Sequence, residues 1–351
     1  MFNIAFFMKR KDNLFEQITD FNNLRTAYLK ALKGKRFSNA ALIFDLKTDE
    51  NLYRIKNSLE KNTYKIGNYR QFKIYDPKER IITAASFEDR IVHHSIMNIL
   101  EPVFERQFVF HTYACRKQKG THKAVQYVFK KSKSCKYFLK LDVKKYFDSI
   151  SHRKLKDLLL RIIKDKQCLS LLFSIIDSYN VSDCCGLPIG NLTSQFFANY
   201  YLSPLDHFVL EKLNPKGYVR YMDDIIVFSD SKGELKNIYK EMQNFIAPFS
   251  LNFKQPVINS CKNGVPFLGF SVSDSGILLL NKNRKRKIKK INRLVYDFNQ
   301  GLITEGNFVD RLNSICSVNK ILKGRKLFLF SYKNSVFPLV NSRGGEVMVK
   351  T

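Results

Sequence analysis

The chain has 351 residues, with 60 Lys and Arg against 31 Asp and Glu, a formal charge of +29. At 44% hydrophobic and 26% charged residues, the composition is that of a folded globular protein and excludes a disordered one. So large a cationic excess repels itself and persists where a polyanion neutralises it, which points to nucleic acid, with an anionic membrane surface as the rival.

No apolar run reaches the roughly 18 residues needed to span a bilayer, so no membrane role is expected. The opening MFNIAFFMKRK places its basic residues after the apolar ones, the reverse of a secretory signal. Residues 12–66 carry apolar positions at helical spacing in LFEQITDFNNLRTAYLKAL and LYRIKNSLEKNTY. FKIYD reads as a strand, Pro77 as a turn, and RIITAASFEDRIVHHSIMNIL as helical after Phe87. His93 and His94 lie beside acids but lack metal-ligand spacing, and a structural role is expected of them. YFLKLDV is a β-type run. The segment from Ser151 to about Tyr179 predicts one long amphipathic helix with Ser151 as N-cap. GLPIGN is a turn, and LTSQFFANYYLSPLDHFVLEKL predicts a second long helix. GYVRY and IIVFSD are two β-runs separated by Met222, Asp223 and Asp224, a hairpin signature. A helix near 234–249 and short strands in PFLGFSVSD and GILLL complete the set. This order predicts an α+β fold, an antiparallel sheet with helices on one face. The seven cysteines (Cys115, Cys135, Cys168, Cys184, Cys185, Cys261, Cys316) show no CxxC spacing and read as free thiols of a reducing cytoplasm.

The chemistry concentrates in YVRYMDDIIVF. Two adjacent carboxylates between strand-forming runs repel each other and resist burial unless a cation neutralises them. Asp142, at the end of YFLKL, sits in a similar setting that a neighbouring strand would bring alongside Asp223 and Asp224. Hard oxygen ligands suit two Mg²⁺ ions, or Mn²⁺, better than zinc, and a two-metal site serves phosphoryl transfer. NKNRKRKIKKINRL carries eight Lys or Arg, with Ile288, Ile291, Leu294 and Val295 on one helical face and the cations on the other. RKQKGTHK (116–123) is a second, shorter basic stretch.

These residues resemble the reverse transcriptase family over roughly residues 70–295. KLDVKKYFDSI looks like the first palm motif, YMDD matches the central one, and PFLGF (266–270) is similar to the primer grip. The resemblance implies a right-hand polymerase fold: an N-terminal helical region and fingers over 1–136, a palm over 137–280 and a basic helical thumb over 281–351. It implies that Asp142, Asp223, Asp224 and the carbonyl of Val143 hold the metals. Lys78, Arg80 and Lys254 would face the incoming triphosphate, and Phe147 would lie under the nucleotide sugar and exclude a 2′-hydroxyl. Ile189, Gly190 and Gln195 would shape the floor beneath the templating base pair. Phe267, Leu268 and Gly269 would form the primer grip. Arg284, Lys285, Arg286, Lys287, Lys289, Lys290 and Arg293 would hold duplex phosphates.

Within the family, GLPIGNLTSQ is similar to the diversity-generating retroelement enzymes, with Ile189 and Gln195 where most bacterial reverse transcriptases carry Gln and Pro. That likeness implies error-prone copying of a template-repeat RNA into cDNA from deoxynucleoside triphosphates, with a small basic pentameric accessory protein as partner. The alternatives are a group II intron, retron or phage-defence enzyme, or a catalytically weak RNA-binding scaffold.

Overall fold

The computed structural model describes residues 10–75 and 79–316, together with two short strands at 339–340 and 346–347. In chain order, four helices come first: α1 (Phe15–Thr19), α2 (Phe21–Leu32), α3 (Asn39–Asp45) and α4 (Thr48–Glu60). The hairpin of β1 (Arg70–Tyr75) and β2 (Glu79–Ala84) follows, then α5 (Phe87–Glu105) and α6 (Thr121–Ser134). Next come β3 (Tyr137–Asp142), α7 (His152–Ile162), α8 (Lys166–Asp177), α9 (Leu192–Tyr201) and α10 (Ser203–Phe208). β4 (Gly217–Tyr221), β5 (Asp224–Ser229), α11 (Lys232–Ile246) and β6 (Val257–Ser260) lead into β7 (Val265–Phe267), β8 (Phe270–Ser273) and β9 (Gly276–Leu279). Helices α12 (Asn281–Asn299) and α13 (Glu305–Cys316) precede the short strands β10 (Leu339–Val340) and β11 (Glu346–Val347).

Two compact units share this chain. One holds the described residues up to Ala124 with Tyr137–Asn259, the other Val125–Lys136 with the described residues from Ser260 onward.

In the first unit the N-terminal helices bury Ile18, Leu24, Ala27, Ala31, Leu52, Ile55 and Leu59 in one apolar core with α5. The helical spacing of these residues is what the sequence pattern reports. Ser86 starts α5 by a reciprocal cap: its Oγ accepts from the Asp89 N–H at 3.1 Å and donates to the Asp89 carboxylate at 2.6 Å. The long helix expected from Ser151 is two helices. Ser151 does cap the first, accepting from the Lys154 N–H. Asp165 ends the run, because one of its oxygens caps α8 at the Cys168 N–H (2.9 Å) and the other accepts from the N–H groups of Leu14 and Phe15 (2.7 and 2.8 Å). A carboxylate with three backbone donors outcompetes helical continuity. The second expected long helix is also broken, at Leu202, with Pro204 in the first turn of α10. Proline lacks the N–H that would continue the ladder.

The central sheet has strand order β4-β5-β3-β6, with β4–β5 and β3–β5 antiparallel. On one face Leu139, Leu141, Ile225 and Val227 join the main core, while Phe138, Ile226 and Phe228 on the other face are buried as well. Burial on both faces explains the almost continuous apolar runs of β3 and β5. Helix α11 packs on these two strands.

In the second unit β7-β8-β9 form an antiparallel sheet. The β7–β8 loop is Leu268–Gly269, both at positive φ (48° and 88°), the conformation of a two-residue hairpin turn. The carbonyl of Gly269 accepts from Leu280 N (3.0 Å) and Asn283 Nδ2 (3.2 Å), which pins the start of α12 to this turn. Ile291, Leu294, Val295 and Phe308 form the α12–α13 core, and Phe298 stacks on Phe308 at 4.6 Å. Ile288, expected on that apolar face, is exposed, one turn short of the cluster. All seven cysteines are free.

Candidate active site

Strand β3 ends at Asp142, which stands opposite Asp224 in the β3–β5 register. Asp224 in turn pairs with Tyr221 across β4–β5, so the hairpin loop is just Met222 and Asp223. Met222 adopts φ 55°, a left-handed conformation that a side-chain-bearing residue takes only when its surroundings enforce it. Past Asp142, β3 continues as a backbone ladder with residues 252–254. Lys144 N donates to Asn252 O (2.8 Å), Val143 bridges Phe253, and Lys254 N donates to Asp142 O (2.8 Å). This ladder sets Lys254 beside Asp142, and their side chains form an ion pair. Lys140, two residues earlier on β3, lies 3.4 Å from the Asp224 carboxylate.

Burial raises the pKa of both hairpin acids. For Asp223 burial is the main cause and the charge of Asp142 adds to it, while Lys254 and Arg80 oppose. Asp224 is pushed up to about 6 by burial, against the pull of Lys140 and with the push of Asp223 and Asp142. The donor set is all hard carboxylate oxygen, and burial, with neighbouring negative charge added, disfavours Asp223 and Asp224 as anions, which is chemistry that suits a divalent cation of the Mg²⁺ type. Among the described residues, no three His, Cys, Asp or Glu side chains are already gathered into a metal cage.

The expected floor also lies in this unit. The N–H of Thr83 on β2 donates to Ile189 O at 2.8 Å, and Asn191 Oδ1 accepts from Ala85 N at 3.1 Å. Gly190, at φ 123°, passes so close to β2 that a Cβ there would meet Ile82 Cγ2 at 2.9 Å. The β1–β2 hairpin is thereby latched to the GLPIGN turn. Gln195, on the first turn of α9, accepts from the Cys115 thiol at 3.4 Å, and burial raises that thiol to about 11, so it stays protonated. Phe147 is half-buried in a 3-10 turn, its carbonyl accepting from Leu187 N at 2.9 Å.

The sequence matches the reverse transcriptase (RNA-dependent DNA polymerase) family over residues 71–272, more than half of the chain. The chain belongs to the reverse transcriptase family. The mixed helix and antiparallel-sheet architecture is accordingly the right-hand polymerase fold expected from the sequence. Relatives include the COX1/OXI3 intron 2 protein of Saccharomyces cerevisiae, 24% identical over 79% of this chain and 40% of that protein. The group II intron-encoded protein LtrA of Lactococcus lactis is 26% identical over 53% of this chain and 33% of its own length. The retron Ec73 reverse transcriptase of Escherichia coli is 33% identical over 44% of this chain and 53% of that one. The chain thus spans about two fifths of the length of the intron 2 protein. A solved telomerase from Candida tropicalis is 14% identical, with a TM-score of 0.45 over 61% of this chain and 55% of that one.

Of the residues singled out in the sequence, Asp142, Asp223, Asp224, Val143, Arg80, Phe147, Ile189, Gly190, Gln195 and Lys254 all fall in the first unit. Phe267, Leu268, Gly269 and the cations of α12 fall in the second. In α12 Lys285, Lys289, Lys290 and Arg293 are exposed, whereas Arg284, Arg286 and Lys287 are half-buried. Burial lowers the pKa of Lys287. Lys78 lies outside the described residues. Sequence reasoning missed Lys140 and Arg220. Each is a cation inside an apolar strand run, in YFLKL and GYVRY, and that mismatch was the available signal. The described helices include none long and apolar enough to cross a membrane.

Proposed function

We propose that the protein is an RNA-directed DNA polymerase that extends a primer with deoxynucleoside triphosphates. The observation that carries this reading is the pairing of Asp142 with Asp224 across two strands, with Asp223 beside them in the hairpin loop and Arg80 and Lys254 close enough to offset the charge of Asp223. In the reaction the primer 3′-hydroxyl loses its proton and its oxygen bonds the α-phosphorus. The bond to the β-phosphate oxygen breaks, and pyrophosphate leaves. Asp142, Asp223, Asp224 and the carbonyl of Val143 would hold two Mg²⁺ ions, or Mn²⁺. Those ions supply charge neutralisation for the attacking and leaving oxygens. Arg80 and Lys254, with Lys78, bind the triphosphate, and the flat ring of Phe147 packs under the sugar. In this reading residues 1–136 serve as N-terminal region and fingers, 137–280 as palm and 281–351 as thumb.

The intron and retron relatives support a group II intron or retron-like enzyme copying its own RNA. One specific observation favours a second reading. The Ile189–Gln195 pattern supports a diversity-generating retroelement enzyme, working with a small basic accessory protein and miscopying adenines. An adenine-rich template repeat beside the gene, with a copy differing only at adenines, separates this reading from the first.

The polymerase reading is tested by primer extension on a defined RNA template with Mg²⁺. DNA synthesis that disappears in Asp223→Asn is expected. A wild-type protein that makes no DNA, or an Asp223→Asn protein that makes as much, ends the reading in favour of an RNA-binding scaffold.

A further inference from the structure

Behind the acidic hairpin lies a fully buried charge cluster with no assigned part in the chemistry. Arg220 on β4 and Asp206 on α10 form an ion pair with neither side chain exposed to solvent. The guanidinium has five N–H donors and five acceptors in the structure. Its Nε donates to Asp206 Oδ1 (2.6 Å) and its Nη2 to Asp206 Oδ2 and to the main-chain oxygen of Asn199 (3.0 Å). Its Nη1 donates to Asn199 Oδ1 (2.9 Å) and to the main-chain oxygen of Met222 (3.1 Å). Asp206 is completed by Tyr218 Oη (2.6 Å) and Thr112 Oγ1 (3.1 Å), and Asn199 Nδ2 donates to Ala114 O (2.9 Å).

A buried ion pair is a poor source of net stability, because removing two charges from water offsets most of their attraction. What this one supplies is geometry. The acceptor at its far end is the carbonyl of Met222, the hairpin residue held at φ 55° immediately before Asp223. A strained residue persists only where neighbouring groups over-determine it, and Arg220 is such a group. Asn199 takes two of the five bonds and lies one helical turn beyond Gln195 on α9. The same guanidinium therefore ties the acidic turn to the helix that begins at the floor.

We propose that Arg220, braced by Asp206 and Asn199, is the positioning residue of the acidic turn: its bond to the Met222 carbonyl fixes the left-handed residue that aims Asp223 and Asp224, and registers that turn against α9. The proposal rests on the polymerase reading for the meaning of the aim, but not for the restraint itself.

Arg220→Lys keeps the charge and loses the planar fork, and Asn199→Ser removes one acceptor while leaving the Arg220–Asp206 pair in place. Hydrogen exchange read by mass spectrometry over 217–229, Mn²⁺ binding read by electron paramagnetic resonance, and primer extension on an RNA template together form the test. Both variants are expected to exchange faster in the 221–224 turn and to bind Mn²⁺ more weakly. Their kcat is expected to fall on the order of tenfold or more, with the nucleotide KM changed much less. Folded variants with wild-type exchange in the turn and wild-type Mn²⁺ binding would overturn the proposal, whatever their activity. If Arg220→Lys does not fold, Asn199→Ser decides. If neither folds, the cluster is a determinant of the fold and the positioning role is rejected. A wild-type protein without synthesis counts against the polymerase reading alone, since the exchange measurement still judges the restraint.

Discussion

Asp142 and Asp224 face each other directly across the antiparallel pair β3–β5, and each has a lysine of its own, Lys254 and Lys140 respectively. Two carboxylates in that relation, with Asp223 adjoining, are a liability to the folded protein. The lysine beside Asp224 opposes the shift without cancelling it: burial, with the charges of Asp223 and Asp142 added, still pushes its pKa up to about 6.

That value carries a stability consequence. The folded protein holds the Asp224 proton up to about pH 6, whereas the unfolded chain releases it near 3.8. The contribution of this group to stability is therefore present below about pH 4 and is lost as pH rises through 6. Asp224→Asn, which cannot ionise, is expected to be more stable than wild type at pH 8, by on the order of 2–3 kcal/mol or a few degrees in Tm. At pH 4 the gain should vanish, and synthesis should be lost throughout. Thermal melts in chelator at the two pH values check this. A variant less stable than wild type at pH 8 would show that the Lys140 pair outweighs the burial.

Phe147 sits at the entrance to a 3-10 turn whose backbone is held by Leu187, so its ring has a fixed base from which to act. Phe147→Ala is expected to leave deoxynucleotide incorporation largely intact. The kcat/KM ratio of deoxy- over ribonucleotides should fall by roughly 10- to 100-fold, the scale on which a pocket discriminates by shape alone. Single-nucleotide extension with paired dNTP and rNTP measures the ratio, and an unchanged ratio removes Phe147 from sugar selection.

Much of this site was legible in the sequence because its signals are local. YMDD between two apolar runs dictates a hairpin, and a hairpin dictates which acids adjoin. The strand around Asp142 was legible for the same reason. What stayed hidden is whatever depends on side chains meeting from distant positions. Asp165 looks like an ordinary helix residue until its carboxylate is seen to serve Leu14 and Phe15, about 150 positions away. Arg220 reads as strand filler until Asp206 and Asn199 close around it. The latch of Gly190 on Ile82 likewise needs the approach of β2, which no spacing rule encodes.

That latch gives a third expectation. Gly190→Ala meets both an unfavourable φ of 123° and the Ile82 methyl at 2.9 Å. It is expected to cost about 1–3 kcal/mol of stability and to lower synthesis. Ile82→Ala in the same chain should restore only part of the loss, since it relieves the clash but not the backbone. Full rescue in melts of the double variant would assign the whole cost to the contact with β2.

The exposed cations of α12 should act through phosphates and not through bases. Alanine at Lys289, Lys290 and Arg293 together is expected to weaken binding to RNA–DNA duplexes of any sequence. The slope of log K against log salt should fall by about 1 for each cation that meets a phosphate. Titrations at several salt concentrations give the slope. An unchanged slope would make this face merely solvated.

His93 supplies a pH dependence of the opposite sign to Asp224. It is buried in α5 with no hydrogen-bond partner on either ring nitrogen among the described residues, and burial lowers its pKa to about 4. Asp89 pulls in the other direction, while His94 and Arg90 add to the depression. The folded state thus keeps His93 neutral where the unfolded chain, with a value near 6.5, takes up a proton. Stability from this residue is full above about pH 6.5 and is lost as pH falls toward 4. His93→Leu, similar in volume and free of unpaired polar atoms, is expected to equal or exceed wild-type stability at pH 8, because a buried group without partners contributes nothing that an apolar one lacks. At pH 5 its advantage should widen. Paired melting curves of the two proteins at pH 8 and pH 5 decide the matter: a constant offset between them would mean that His93 does not change protonation on unfolding.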